Sequence, residues 1–144
     1  MNCVVDLSVW ISAMLSTERS HAHSIQFLRL IQNDGVVVIC PEFTLIECAA
    51  AISRRTGNEQ EATALIDLIN AFPGLKRVGL SDQNMDRAIE MAKTRRLRAG
   101  DVIHVVVAEA YQAHLVTLDN EIIERSGLGL KALKPMDWVM RSKT

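Results

Sequence analysis

Four acidic residues stand where a carboxylate is costly unless something neutralises it. Asp6 closes the apolar run Asn2-Cys3-Val4-Val5, Glu47 lies between Ile46 and Cys48, Asp101 opens the most apolar stretch of the chain, and Asp119 follows Leu115-Val116-Thr117-Leu118. Charges in such surroundings need a partner. Two carboxylates about 4 Å apart repel by roughly 4 kcal/mol at an effective dielectric near 20, so a cluster of four takes up protons or binds a cation. Oxygen donors without a cysteine or histidine cluster suit a hard divalent ion, magnesium or in its place manganese. Such a site activates water and stabilises a leaving oxygen. Ser8 and Thr117, each two residues from one of the acids, carry hydroxyls able to hydrogen-bond the carboxylates or to serve as ordinary caps.

These acids must be brought together by the elements between them. Asn2 to Asp6 reads as a short buried strand with a helix just after it, and Val36 to Cys40 as a second strand. Between them the spacing of Ile25, Leu28 and Ile31 predicts a helix from about Glu18 to Gln32, stopped by Asn33-Asp34-Gly35. Pro41 opens a helix carrying Glu47 and ending at Thr56-Gly57; another runs from about Glu59 to Ala71. Leu75 to Leu80 is the third expected strand, and Ser81 is the N-cap of the next helix. A basic tract, Lys93 to Arg98, then leads into a nearly all-apolar central helix from Asp101 to about Gln112. Leu115 to Leu118, Asp119 to Arg125 and Lys131 to Leu133 read as strand, short helix and final strand before Pro135. Strands alternating with helices predict an α/β chain, a three-layer α/β/α sandwich around a mainly parallel sheet. In such folds ligands gather at the carboxyl ends of the strands, where Asp6 and Asp119 are expected.

Taken in order, the motifs Val4-Val5-Asp6-Leu7-Ser8, Leu45-Ile46-Glu47-Cys48-Ala49, Arg98-Ala99-Gly100-Asp101-Val102-Ile103-His104 and Thr117-Leu118-Asp119 resemble those of the PIN-domain nucleases, especially the VapC-like toxins of bacterial toxin–antitoxin pairs. Each motif alone is weak; four in sequence over nearly the whole chain are specific. Val102, where many relatives carry alanine, and Asn120-Glu121 beside the fourth acid depart from the pattern. The resemblance implies a PIN-like fold, a magnesium-dependent endoribonuclease acting on single-stranded or looped RNA, homodimerisation, and inhibition by a cognate antitoxin. On this reading Asp6 and Asp101 hold the metal, Glu47 completes the shell directly or through water, and Asp119 binds a second metal or orients the nucleophile. The products would carry 5′-phosphate and 3′-hydroxyl ends.

Other residues admit two readings. Asp6, Asp101 and Asp119 are also well placed to cap helices. Arg95, Arg96 and Arg98 either form a solvated helix end or contact RNA phosphates. His104, three residues from Asp101, reads as a core histidine, while His21 and His23 read as surface residues; Trp10 and Trp138 are assigned to packing. A phosphoacceptor signalling domain would need a supporting lysine and paired N-terminal acids, and a dehalogenase-like phosphatase a second aspartate where Ser8 stands. A non-catalytic binding module on the same scaffold is the remaining alternative, which metal titration separates from a nuclease.

Composition is compatible with this picture. The 144 residues are 49% apolar and 23% charged, with a net charge of −1, matching one globular domain over residues 1–144. Any nucleic-acid contact must then come from local cations. No apolar run approaches the ~20 residues needed to span a bilayer, so no membrane partner is expected. Cys3, Cys40 and Cys48, odd in number and set in apolar segments, read as reduced core thiols in a cytoplasmic setting.

Overall fold

The computed structural model describes all residues, 1–144. Five strands form one sheet: β1 (Asn2–Val5), β2 (Val37–Pro41), β3 (Leu75–Val78), β4 (His114–Val116) and β5 (Ala132–Leu133). Their spatial order is β3-β2-β1-β4-β5, with every neighbouring pair parallel. Seven helices make the crossovers, α1 (Leu7–Met14), α2 (His21–Asn33), α3 (Glu42–Thr56), α4 (Glu59–Asn70), α5 (Asp82–Thr94), α6 (Ala99–Ala110) and α7 (Asn120–Arg125), and α8 (Pro135–Ser142) follows the last strand.

Alternation along the strands splits the core in two, because successive strand side chains point to opposite faces. Cys3, Val5, Val38, Cys40 and Val116 pack against α1–α4 and α8; Val4, Ile39 and Leu115 pack against α5, α6 and α7. The three-layer sandwich is therefore as expected, with β1 and β4 adjacent at its centre. Trp10 and Phe27 are fully buried in the first core, where Trp10 meets Phe72 edge-on at 5.5 Å and Phe27 meets Trp138 at 5.6 Å. Both tryptophans thus serve packing. The three cysteines are buried and unpaired; burial pushes the Cys3 thiol up to about 12 and Cys40 to about 11, which leaves them protonated and inert.

Several boundaries differ from the sequence reading; the third strand ends at Val78 rather than Leu80, and the fourth runs from His114 to Val116 rather than from Leu115 to Leu118. The second helix begins at His21, not Glu18, because Leu15 to Ser20 spends its backbone on two successive turns, Glu18 N–H to Leu15 O and His21 N–H to Glu18 O. Pro41 does not open α3: it ends β2 with ψ 134°, paired with Val78, and stands as N-cap, leaving Glu42 as the first helical residue. The central helix begins at Ala99, two residues before Asp101, which falls in its first turn. Finally, α8 opens on Pro135, where the sequence reading ended. Its proline occupies the first turn, Asp137 accepts from Lys134 N–H at 3.3 Å, and Trp138 and Val139 reach the core.

Candidate active site

Parallel pairing of β1 with β4 puts the residues following both strands side by side at one sheet edge. Asp6 N–H donates to Val116 O at 2.9 Å, so the ladder carries on one residue beyond β1. Asp6 is 4% exposed. Its Oδ2 accepts from Ser8 Oγ at 2.7 Å and from Thr117 Oγ1 at 2.8 Å. Those hydroxyls are in turn fixed: Ser8 accepts from Leu118 N–H at 3.0 Å and Thr117 from Asp119 N–H at 3.0 Å. With their lone pairs engaged on backbone donors, both hydroxyl protons point at one carboxylate oxygen, and Oδ1 stays available. Of the two readings open for Ser8 and Thr117, carboxylate contact or ordinary capping, both side chains make the contact, and for both the carboxylate is that of Asp6.

The remaining acids arrive from helix starts. Glu47 lies in the second turn of α3, beyond the carboxyl end of β2, and Asp101 in the first turn of α6, where its carboxylate accepts from Arg98 N–H at 3.3 Å. Asp119 caps α7 through Glu121 N–H at 2.8 Å. Asp101 and Asp119 thus do make the capping contacts that formed the alternative reading. They also feel the other acids. Burial raises the Glu47 carboxyl above its ordinary range, and the charges of Asp6 and Asp101 raise it further, opposed by His104 only when that ring carries a charge. Burial likewise raises Asp101, with Asp6 and Asp119 adding to it and Arg98 opposing. All four acids belong to one electrostatic group, and ionising them together is unfavourable without added positive charge.

The donor set fits a hard divalent cation: carboxylate oxygens only, one of which, Glu47 Oε1, is buried without a hydrogen-bond partner. No three acidic, histidine or cysteine side chains close into a ready-made cage.

The basic tract divides by role. The Arg95 guanidinium donates to Ser126 O and packs on Gly127, whose φ of +73° keeps that turn open. In return Arg125 Nη1 donates to Arg96 O at 3.0 Å, with Arg96 itself at φ +58°. Arg98 alone faces the acids, 3.8 Å from both Asp101 and Asp119, and is largely solvent-exposed. His104 is a core histidine, fully buried, with Nδ1 2.7 Å from Gly100 O. His23 is exposed, whereas His21 is half-buried with Nδ1 2.8 Å from Ser12 O.

Two residues near the acids escaped the sequence reading. Thr44, fully buried, lies 2.7 Å from His104 Nε2. Gly100 leaves room for Glu47: a Cβ there would run into the Glu47 carboxylate and come within 3.3 Å of Phe43. The signals were a lone hydroxyl three residues before Glu47 and a glycine directly before Asp101.

A search of curated protein sequences finds no match. Among solved structures, the chain is similar to VapBC2 from Rickettsia felis bound to a promoter DNA fragment, with a TM-score of 0.71 and 13% identity over 93% of this chain and 97% of that one. It is similar also to VapC20 of Mycobacterium tuberculosis, a sarcin-ricin-loop-cleaving toxin, with a TM-score of 0.70 and 18% identity over 83% and 92% of the two chains. A toxin–antitoxin complex from Klebsiella pneumoniae matches with a TM-score of 0.64 and 15% identity over 92% and 97%. At these identities the likeness speaks for the fold. The family model for the PIN domain matches residues 3–128, a span that contains all four acids, and the chain belongs to the PIN domain family.

Proposed function

We propose that this protein is a magnesium-dependent endoribonuclease and the toxin of a toxin–antitoxin pair. The observation that carries the proposal is the convergence of Asp6, Glu47, Asp101 and Asp119 at one sheet edge, with Glu47 and Asp101 both held above the ordinary carboxylate range. Asp6 and Asp101 are the residues assigned to the metal, Glu47 completes its surroundings, and Asp119 binds a second ion or orients the attacking water. When bound, the ion supplies charge for the phosphate and an acidified water. Ser8 and Thr117 hold Asp6 so that one oxygen stays directed at the site. Arg98, the cation of its tract that faces the acids, is assigned to a phosphate together with the exposed guanidinium of Arg96, whereas Arg95 and the Arg96 backbone carbonyl support the loop that presents them. RNA is the substrate favoured here, a sarcin-ricin-loop-cleaving toxin being among the structural relatives.

Incubating the purified chain with single-stranded and hairpin RNAs tests the proposal. Cleavage is expected with Mg²⁺ or Mn²⁺, leaving 5′-phosphate and 3′-hydroxyl ends, and is expected to stop on chelation and return on repletion. Cleavage that persists in excess chelator, or ends of the opposite polarity, would refute the metal mechanism.

A homodimer is part of the same proposal. Phe43 and Ile46 on α3, and Met85 and Ile89 on α5, are large apolar side chains left at least 36% exposed in the single chain. Sedimentation at micromolar concentration is expected to give a dimer, and a strictly monomeric profile overturns it. The antitoxin is tested by co-purification of a small protein from the host, which is expected to restrain cleavage until it is removed.

A further inference from the structure

The Thr44–His104 contact joins two elements that each carry an acid. Thr44 lies one turn before Glu47 on α3, and His104 one turn after Asp101 on α6; both are fully buried. Gly100 O can only accept, so the 2.7 Å contact makes His104 Nδ1 the protonated ring nitrogen. In the neutral ring Nε2 is then an acceptor, and the Thr44 hydroxyl donates to it at 2.7 Å. The ring so fixed stands between two acids, with Nε2 3.7 Å from Glu47 Oε1 and Nδ1 4.0 Å from Asp6 Oδ1. On its other side the Glu47 carboxylate lies in the space left by Gly100.

We infer that Thr44 and His104 form a positioning pair that holds the Glu47 carboxylate at a fixed place relative to Asp6 and Asp101, and that this pair sets the affinity of the acid cluster for a divalent cation. The inference rests on reading the cluster as a metal site. Neither residue touches the ion; each acts through Glu47. The physical reason is geometric. Glu47 reaches the site on three rotatable bonds, and its Oε1 has no hydrogen bond of its own. What limits its rotamers is the wall formed by the imidazole, and Thr44 is the side chain that keeps that ring from turning. Supporting contacts of this kind typically change metal affinity by about 10–100-fold.

The experiment is a Mg²⁺ and Mn²⁺ titration by calorimetry, without RNA, on the parent, Thr44→Val and Thr44→Ser, with melting temperatures measured on the metal-free proteins. Thr44→Val keeps the shape and removes the donor. It is expected to weaken metal binding at least tenfold, while Thr44→Ser, which restores the hydroxyl, recovers most of the affinity. A role confined to joining α3 to α6 would lower the melting temperature of Thr44→Val and leave its metal affinity at the parent value, which overturns the inference. Should Thr44→Val not fold, the parent decides. A long-range ¹H–¹⁵N spectrum is expected to find the His104 proton on Nδ1 and a perturbation of Nε2 as Mg²⁺ is added. A proton on Nε2, or no response of either nitrogen to saturating metal, also overturns it. Glu47→Gln and Asp6→Asn serve as controls. If they reduce binding and Thr44→Val does not, only the positioning pair falls; if neither reduces binding, the metal reading falls with it.

Discussion

Asp6→Asn is expected to lower RNA cleavage by about a thousandfold while leaving the protein folded. A bound divalent ion is worth several kcal/mol of transition-state stabilisation, and each ~1.4 kcal/mol is a factor of ten in rate. The preserved fold follows from the hydrogen bonds. Ser8 and Thr117 each accept from a backbone N–H and donate their hydroxyl proton to Asp6 Oδ2, so residue 6 must offer both an acceptor. An asparagine meets that demand by turning its carbonyl oxygen toward them, which places its NH₂ where Asp6 Oδ1 stood. The amide is a donor there and cannot ligate a cation. It also removes one negative charge from a group in which Glu47 and Asp101 are already raised by their neighbours. Asp6→Ala behaves differently, since the buried Thr117 hydroxyl loses its acceptor at a cost of about 1–3 kcal/mol and the half-buried Ser8 hydroxyl loses the same acceptor at a smaller one. The measurements are single-turnover cleavage and metal-free melting of the two variants. Activity within tenfold of the parent in Asp6→Asn removes Asp6 from the metal site, and equal melting of Asn and Ala variants removes the hydroxyl argument.

How far the site could be read in advance depended on the distance over which each residue acts. Asp6 and Asp119 were legible because each ends a short apolar, β-branched run, and parallel strands bring such ends to one edge. Glu47 and Asp101 were legible as charges out of place in apolar helices. Ser8 and Thr117 lie within two residues of an acid, so a contact with some carboxylate was legible, whereas the use of Asp6 by Thr117, 111 residues away, was not. The Thr44–His104 pair was not legible, because its partners are 60 residues apart and a single hydroxyl in an apolar helix leaves no periodic trace. The uses of Arg95 and Arg125, which bind backbone carbonyls 31 and 29 residues away, were hidden for the same reason. At the level of the fold, α8 was missed although its capping pattern is local: its buried face is little more than Trp138 and Val139, too short a stripe to stand out from a loop.

Gly100→Ala separates the construction of the fold from that of the site, with opposite expected effects on the two. Gly100 sits in the first turn of α6 with an ordinary helical backbone, so alanine fits there without strain. Alanine is also the better helix former, by up to about 1 kcal/mol in a helix interior and less at an end. The added Cβ, however, occupies the space of the Glu47 carboxylate and presses on Phe43 at 3.3 Å. Both obstacles are ends of side chains that are partly exposed, so they give way and the fold keeps its stability. The melting temperature of the metal-free protein should hold or rise slightly. Displacing Glu47 by an ångström or so is enough to cost roughly a hundredfold in cleavage, and Mg²⁺ affinity should fall with it. A double-mutant comparison isolates the cause: Glu47→Ala alone loses activity, and adding Gly100→Ala to it should cost nothing more, because the group that the Cβ displaces is already gone. Full activity in Gly100→Ala would mean that Glu47 does not need the place it holds beside Asp101. A further loss in the double variant would instead assign the glycine to close approach of the RNA backbone at the start of α6.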